Sequence, residues 1–532
     1  NAGLPMNGPT ITGPLIKMMN VLSDGIMIFI ILLISILVLI ISLICIRFML
    51  LTRVASEATE VGMMKALGIS GKDIRSMFLS RYRALIIIGC VVGVIASMLA
   101  FQPLSAQMQK LYGVFGNGVG KYVFAVIGAA VVGMAIVLFV LRVLKRLNET
   151  TAIHALTGTI YHKKEKRNKL CITLITTIAV FLMMIPSNLH STLSSPKFVT
   201  YMGIGNADLR MDMRDGIEGT DRASQFIDLK NRLEHDEDVA EFALYQTCST
   251  PVLLQDGTPV NMIMEQGKHT CFPVTYNKGT APAKENEIAL SYLLSEELEL
   301  APGDSLLVSQ NGTYEACMVT GIYSDVTNGG KTAKIYVEDI CNKDVSENQN
   351  VMWQIAYVTL KDPADSDDVI QRYSETGTEV VDIASQITGT YGPTLKQIQR
   401  ADWLVKLVSS LIIFFVIMLF VRMLIAGQRN QISMKKALGF KTSDIMKSFR
   451  ISCTWYIAVG VLAGVILGCT LGQLICGMAL QSLGAVGFKF VIRLVSIVIN
   501  LGLGSVIAYL AVYIGSRGIC NIKAIECCRG RE

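Results

Sequence analysis

Seven stretches of this chain are long and apolar enough to cross a bilayer, at about 25–46, 84–101, 122–141, 170–189, 407–421, 455–478 and 494–514. The first holds 22 residues without a charge. As a helix rising about 1.5 Å per residue it would reach ~33 Å, the depth of the hydrocarbon layer. Seven such runs cannot all be buried cores of a soluble protein, so the chain reads as a polytopic helical membrane protein. The fifth run is the shortest, bounded by Lys406 and Arg422, whose long stems let their charges reach the interfaces. Composition agrees: only 17% of the 532 residues are charged, against about 25% in a soluble domain.

Charge then orients the spans. The connection 47–83 carries seven Lys and Arg, 142–169 carries eight and 422–450 carries seven, while 102–121 and 481–493 carry two each. By the positive-inside bias the rich connections are cytoplasmic. Residues 191–403 fall outside, and they hold 33 Asp and Glu against 16 Lys and Arg. The formal net charge of +6 therefore conceals an acidic external block between basic membrane flanks, which excludes a nucleic-acid binder. The same rule puts Asn1 outside with nothing to translocate it. The expectation is a truncated front, with eight spans in the intact chain.

An internal duplication is the most specific feature. Glu60-Val-Gly-Met-Met-Lys-Ala-Leu-Gly-Ile-Ser-Gly-Lys-Asp-Ile-Arg-Ser-Met-Phe78 returns 371 residues later as Gln431-Ile-Ser-Met-Lys-Lys-Ala-Leu-Gly-Phe-Lys-Thr-Ser-Asp-Ile-Met-Lys-Ser-Phe449, with eight of nineteen positions identical. The same offset pairs Gly89 with Gly460 and Gly93 with Gly464. Each half is thus three spans with one basic cytoplasmic element between its first two. The fourth span belongs with the second half, and its counterpart is the span expected to be missing.

Residues 54–67 read as a helix of good formers with Gly68 as its left-handed stop, and Ser70-Gly-Lys-Asp73 has capping-box spacing for the next helix. Such a hairpin at the cytoplasmic face has two readings: an amphipathic helix afloat on headgroups, or a docking element for a cytoplasmic partner. Lipid contact preserves only a pattern. The duplication preserves identities, which favours docking. Both copies resemble the signature of FtsX/MacB-type permeases, the membrane subunits of ABC transporters, and the resemblance covers roughly 30–158 and 404–530. It implies that each copy is a coupling helix seated on a separate ATPase, a homodimer served by one permease chain. The expected docking residues are Glu60, Met63, Lys65, Ala66, Leu67, Gly68 and Asp73, and in the second copy Met434, Lys436, Ala437, Leu438, Gly439 and Asp444. Gln431 for Glu60 and Ser433 for Gly62 make the two sites unequal.

No enzyme chemistry competes with this reading. Gly71-Lys72-Asp73 lacks both the leading glycine and the hydroxyl of a P-loop, so the ATPase is expected on another chain. The histidines at 154, 162, 190, 235 and 269 have no metal-binding spacing, and neither metal nor cofactor is expected. A secondary transporter is disfavoured because no span is expected to hold an acidic residue for ion coupling. Of thirteen cysteines, Cys248, Cys271, Cys317 and Cys341 lie outside and allow one or two disulfides with three possible pairings.

Strand-like runs at 252–254, 305–308, 316–320 and 355–360 mix with helical stretches near 220–235, 288–300 and 364–376, so the external domain is expected to be α+β. The organisation expected is 1–24, the end of an extracytoplasmic region; 25–158, the first FtsX-like half; 159–190, a basic linker and fourth span; 191–403, the external domain; and 404–532, the second half. The function implied is ATP-driven export or extraction of an amphiphilic peptide, drug or lipid at the bacterial plasma membrane. The alternative is a non-transporting regulator that mechanically activates an external cell-wall hydrolase.

Overall fold

The computed structural model describes residues 28–29, 31–47, 49–50, 63–64, 67–112, 120–147, 165–213, 222–254, 257–310, 313–327, 330–341, 351–375 and 378–524. Glu60, Lys65, Ala66, His154, His162 and most of the helix expected at 54–67 lie outside them. The chain divides into two compact units. One holds 180–409 and 464–501, the other 35–179, 410–463 and 502–532.

The first half comprises α1 (Ile31–Arg47), α2 (Gly71–Tyr112) and α3 (Gly120–Leu147). The apolar runs predicted these helices, and α2 begins well before its run, at Gly71. Ile74, Phe78 and Leu79 of α2 pack with Val140 and Leu144 of α3 and with Leu50. Small residues bring the same pair together higher up: a Cβ on Gly133 would lie 2.9 Å from Cys90 Sγ. Among the described residues, six helices are long and apolar enough to cross a membrane; the first predicted span is described over Ile31–Arg47, a shorter apolar helix.

After α4 (Glu165–Leu193) comes the sheet domain. Its elements are β1 (Leu209–Met213), α5 (Arg222–His235), β2 (Val239–Leu253), β3 (Pro259–Gly267), β4 (Tyr276–Gly279), β5 (Glu287–Ser291), α6 (Tyr292–Leu298), β6 (Ser305–Gln310), β7 (Thr313–Tyr323), β8 (Thr332–Tyr336), β9 (Val351–Leu360), α7 (Ser366–Ser374) and β10 (Glu379–Asp382). The ten strands form one mixed sheet in the order β10-β1-β9-β2-β3-β8-β5-β7-β4, with β6 pairing β2 and β7. Residues 288–291, expected as the start of a helix, are strand β5. Ile288, Ala289 and Leu290 are fully buried between β7 and β8, and a run enclosed on both faces carries no period to distinguish strand from helix.

Period-two alternation splits the sheet into unlike faces. Leu209, Met211, Ala356 and Val358 meet Phe226 and Leu229 of α5 and Val369 of α7 in an apolar core. The opposite side chains form a polar stripe in which Tyr357, Tyr245 and Lys334 are buried and Arg210 and Glu265 partly buried. Lys334 pairs with Glu265. Burial opposes ionisation of Glu265, but the Lys334 ammonium outweighs it and holds the carboxyl below its ordinary range. His269 sits beside the pair with Nε2 3.0 Å from Glu265 O, and burial together with Lys334 lowers its pKa to about 3. At the end of β7, burial raises Asp325 to about 6 against the hydrogen bonds donated by Thr332 and Thr327. The four external cysteines form no disulfide among the described residues, and Cys248 and Cys317 are fully buried as small apolar side chains.

The second half closes on α8 (Ile383–Gly427), α9 (Arg429–Ala437), α10 (Thr442–Gln481) and α11 (Leu494–Ser516). Asp382 caps α8 by accepting from Ser385 N at 3.0 Å. The 45-residue helix therefore leaves the sheet edge and enters its apolar run without a break. α4 is the most enclosed of the described spans, with 72% of its apolar stretch buried. Glycines of α10 admit it closely: Cβ atoms on Gly460 and Gly468 would lie 2.7 Å from Thr173 O and 2.5 Å from Met184 Cβ. Thr173 Oγ1 donates to Tyr456 O at 3.0 Å and Thr177 Oγ1 to Gly460 O at 3.1 Å, so hydroxyls join the seam. α4 thus packs closely against α10.

Three of the described span helices include an acid outside their apolar runs: Asp73 in Gly71–Leu99, Asp402 in Leu395–Gly427 and Asp444 in Thr442–Gln481. The apolar helix stretch Leu395–Gly427 includes Asp402, 9% exposed. It is bound to Lys406 Nζ at 2.6 Å and accepts from Ser187 Oγ at 2.6 Å, while Asn500 Nδ2 donates to Ser187 Oγ at 3.1 Å. The apolar run begins in sequence only beyond Lys406, which hid a carboxylate that is neutralised one helical turn away. On the external side, the connection between α10 and α11 is held to the sheet. Ser324 Oγ donates to Val486 O at 3.2 Å and accepts from Val486 N at 3.0 Å. Gln481 Nε2 donates to Tyr292 OH at 3.0 Å.

Candidate functional site

The repeated element is a helix end, a left-handed glycine and a new helix start, built twice. In the second copy α9 runs to Ala437, Gly439 stands at φ +90° and α10 begins at Thr442. Phe440 N donates to Lys435 O at 3.1 Å and Gly439 N to Lys436 O at 3.1 Å, which satisfies carbonyls that a helix end leaves unpaired. In the first copy Ile69 N donates to Met64 O at 3.1 Å and Gly68 stands at φ +85°. Both positions demand glycine because a Cβ disfavours the left-handed region.

The helix starts differ. Ser70 Oγ donates to Asp73 Oδ2 at 2.7 Å and accepts from Asp73 N at 3.3 Å, the predicted capping spacing realised. Lys441 occupies the matching place in the second copy and cannot cap in this way; Asp444 N donates to Lys441 O at 3.0 Å and Ser443 Oγ donates to Asp444 Oδ1 at 3.3 Å. Asp73 and Asp444 sit in the first turns of their helices, where the dipole favours an acid.

What the element presents is apolar. Leu67 is 82% exposed and Leu438 72%, with Met63, Ile69, Met434 and Phe440 beside them, all more than two-fifths exposed. Ala437 is also exposed. α9 turns Ile432 and Ser433 inward, so its outward face is set by packing. Burying two such leucines is worth about 1.5–3 kcal/mol each, which a polar cytoplasmic face leaves unrealised. Phe440 did not figure among the expected residues, although the shared offset with Ile69 marks its position. Gln431 is exposed.

One expected docking residue points elsewhere. Lys436 Nζ donates to Ile519 O at 2.7 Å and Ile522 O at 2.6 Å, capping the turn that follows α11. Its ammonium is committed to its own chain.

The profile of the FtsX-like permease C-terminal domain matches residues 32–149 and 403–524, so each match contains one copy of the element. No curated protein sequence matches the chain significantly. Among solved structures, the periplasmic region of MacB from Actinobacillus actinomycetemcomitans is similar at 12% identity and TM-score 0.26, over 36% of this chain and 94% of that one. The extracellular domain of the noncanonic ABC-type transporter YknZ from Gram-positive bacteria is similar at 11% identity and TM-score 0.24, over 33% of this chain and 98% of that one. A domain of a putative permease protein from Porphyromonas gingivalis is similar at 12% identity and TM-score 0.23, over 33% and 87%. This multi-pass chain therefore carries the FtsX-like permease C-terminal domain twice, once in each membrane half.

Proposed function

We propose that this chain couples ATP hydrolysis on a separate ATPase dimer to movement of its external domain, driving export or extraction of an amphiphilic substrate. The observation that carries the reading is the twice-built element with a bare leucine at its apex. Closure of the dimer pushes on residues 60–73 and 431–444, one ATPase to each. α10 begins directly after the second element, and the connection at its external end is bonded to the sheet through Val486 and Ser324. α8 enters the same sheet domain through β10. Movement at the cytoplasmic face thereby has two covalent routes outward, each a helix of forty or more residues.

The test is a pull-down of the candidate ATPase by the membrane-inserted chain. Leu67→Asp with Leu438→Asp places carboxylates where the proposed contact buries apolar side chains, and an unpaired buried carboxylate costs several kcal/mol. The complex should be lost while insertion and folding persist. Undiminished capture means that the element lies on lipid and the coupling reading fails. Substrate released into inverted vesicles separates transport from ATP-driven activation of an external hydrolase without flux.

A further inference from the structure

The start of α10 and the end of α11 enclose a cleft of about 440 Å³, lined by Ser443, Lys447, Arg450, Ile451, Thr454 and Tyr509. We propose that it binds the phosphate-bearing headgroup of an anionic lipid of the cytoplasmic leaflet. The cations come first. Arg450 is held ready: its Nε donates to Ser516 Oγ at 2.8 Å and its guanidinium lies 4.1 Å from the centroid of the Tyr513 ring. Its two terminal nitrogens make no hydrogen bond among the described residues, which leaves the forked edge that suits a phosphate. Lys447 makes no ion pair among the described residues, and Arg517 adds a third cation at 5.4 Å from the same Tyr513 ring.

No acid lines the cleft to neutralise them. The only acid between residues 422 and 454 is Asp444, which lies outside the lining, and residues 494–524 contain none. Lys447 and Arg450 lie within the first nine residues of α10, about 12 Å or less from its cytoplasmic end at 1.5 Å per residue. That is headgroup depth, where an anionic leaflet attracts basic residues.

Two further observations identify a lipid as the occupant. From Ile451 at the cleft an apolar stripe continues into the bilayer at helical spacing through Trp455, Val459 and Leu462, exposed 65%, 72%, 44% and 56%. A headgroup in the cleft has its acyl chains on that stripe; a soluble phosphate has no use for it. The cations are also private to the second copy. The offset of 371 pairs Lys447 with Ser76 and Arg450 with Leu79, and Leu79 is buried in the α2–α3 core. The helical element therefore folds without them.

The experiment is native mass spectrometry of the full chain in micelles doped with phosphatidylglycerol or phosphatidylcholine. Phosphatidylglycerol should be retained selectively. Lys447→Gln, which removes no hydrogen bond or ion pair among the described residues, should weaken that retention about fivefold, and Lys447→Gln with Arg450→Gln about thirtyfold. Lys72→Gln with Arg75→Gln in the first copy should change it less than about twofold. Equal retention of both lipids, or no change in Lys447→Gln, overturns the proposal. Displacement by millimolar inorganic phosphate also overturns it, by making the ligand a free anion.

Discussion

Lys436 and Leu438 stand two positions apart in the repeated element and serve different ends. The Lys436 ammonium caps the carbonyls of Ile519 and Ile522, whereas the Leu438 side chain is largely bare. Lys436→Met should cost about 1–3 kcal/mol and speed hydrogen exchange in residues 519–522 while ATPase binding persists. Leu438→Asp should do the reverse. Asp402 is the second sensitive position. Asp402→Ala leaves Lys406 uncompensated in an apolar span and should cost about 3–5 kcal/mol, while replacing both residues by leucine should recover most of it. Thermal unfolding in detergent reads both.

The external sheet has its own pH signature. His269 has a folded pKa of about 3, below its unfolded value, so its contribution is complete above pH ~6.5 and is lost as pH falls toward 3. Asp325 has a folded pKa of about 6, above its unfolded value, so its burial destabilises at neutral pH and that burden lifts between pH ~6 and ~4. The two oppose each other in that window. Asp325→Asn removes the compensating gain, and the sheet should lose stability more steeply between pH 6 and 4, measured by hydrogen exchange of β7 and β8.

At the scale of elements, the turn is built alike in both copies. Gly68 and Gly439 share a left-handed φ and the same reversal, though one following helix has a hydroxyl cap and the other does not. Gly439→Ala should cost about 1–2 kcal/mol and misdirect Leu438, reducing permease-stimulated ATP hydrolysis before it abolishes the complex. These features were legible in the sequence because they are local: apolar length gives spans, and glycine placement gives helix ends. Strand β5 was not legible, since burial on both faces erases periodicity. The commitment of Lys436 was not legible either, because its carbonyl partners lie over eighty residues away and no pattern within the element announces them. Asp402 escaped for a third reason: an ion pair one turn apart inside a helix reads in sequence as the end of a span.

For the whole molecule, the proposed function implies that a single chain carrying both copies of the element would serve a two-fold ATPase through two unlike sites. Gln431 in place of Glu60, and Lys441 in place of Ser70, make the contacts unequal. The complex is expected to contain one permease and two ATPase subunits, with the second copy also carrying the basic cleft. Photo-crosslinking tests this directly, with a photoreactive phenylalanine in place of Leu67, of Leu438, or of both, in membranes containing the ATPase. Each single replacement should yield a one-to-one adduct, and the double replacement should yield one permease joined to two ATPases. Adducts with lipid alone at both positions, or a double replacement that never exceeds one ATPase, would contradict two-site coupling on one chain.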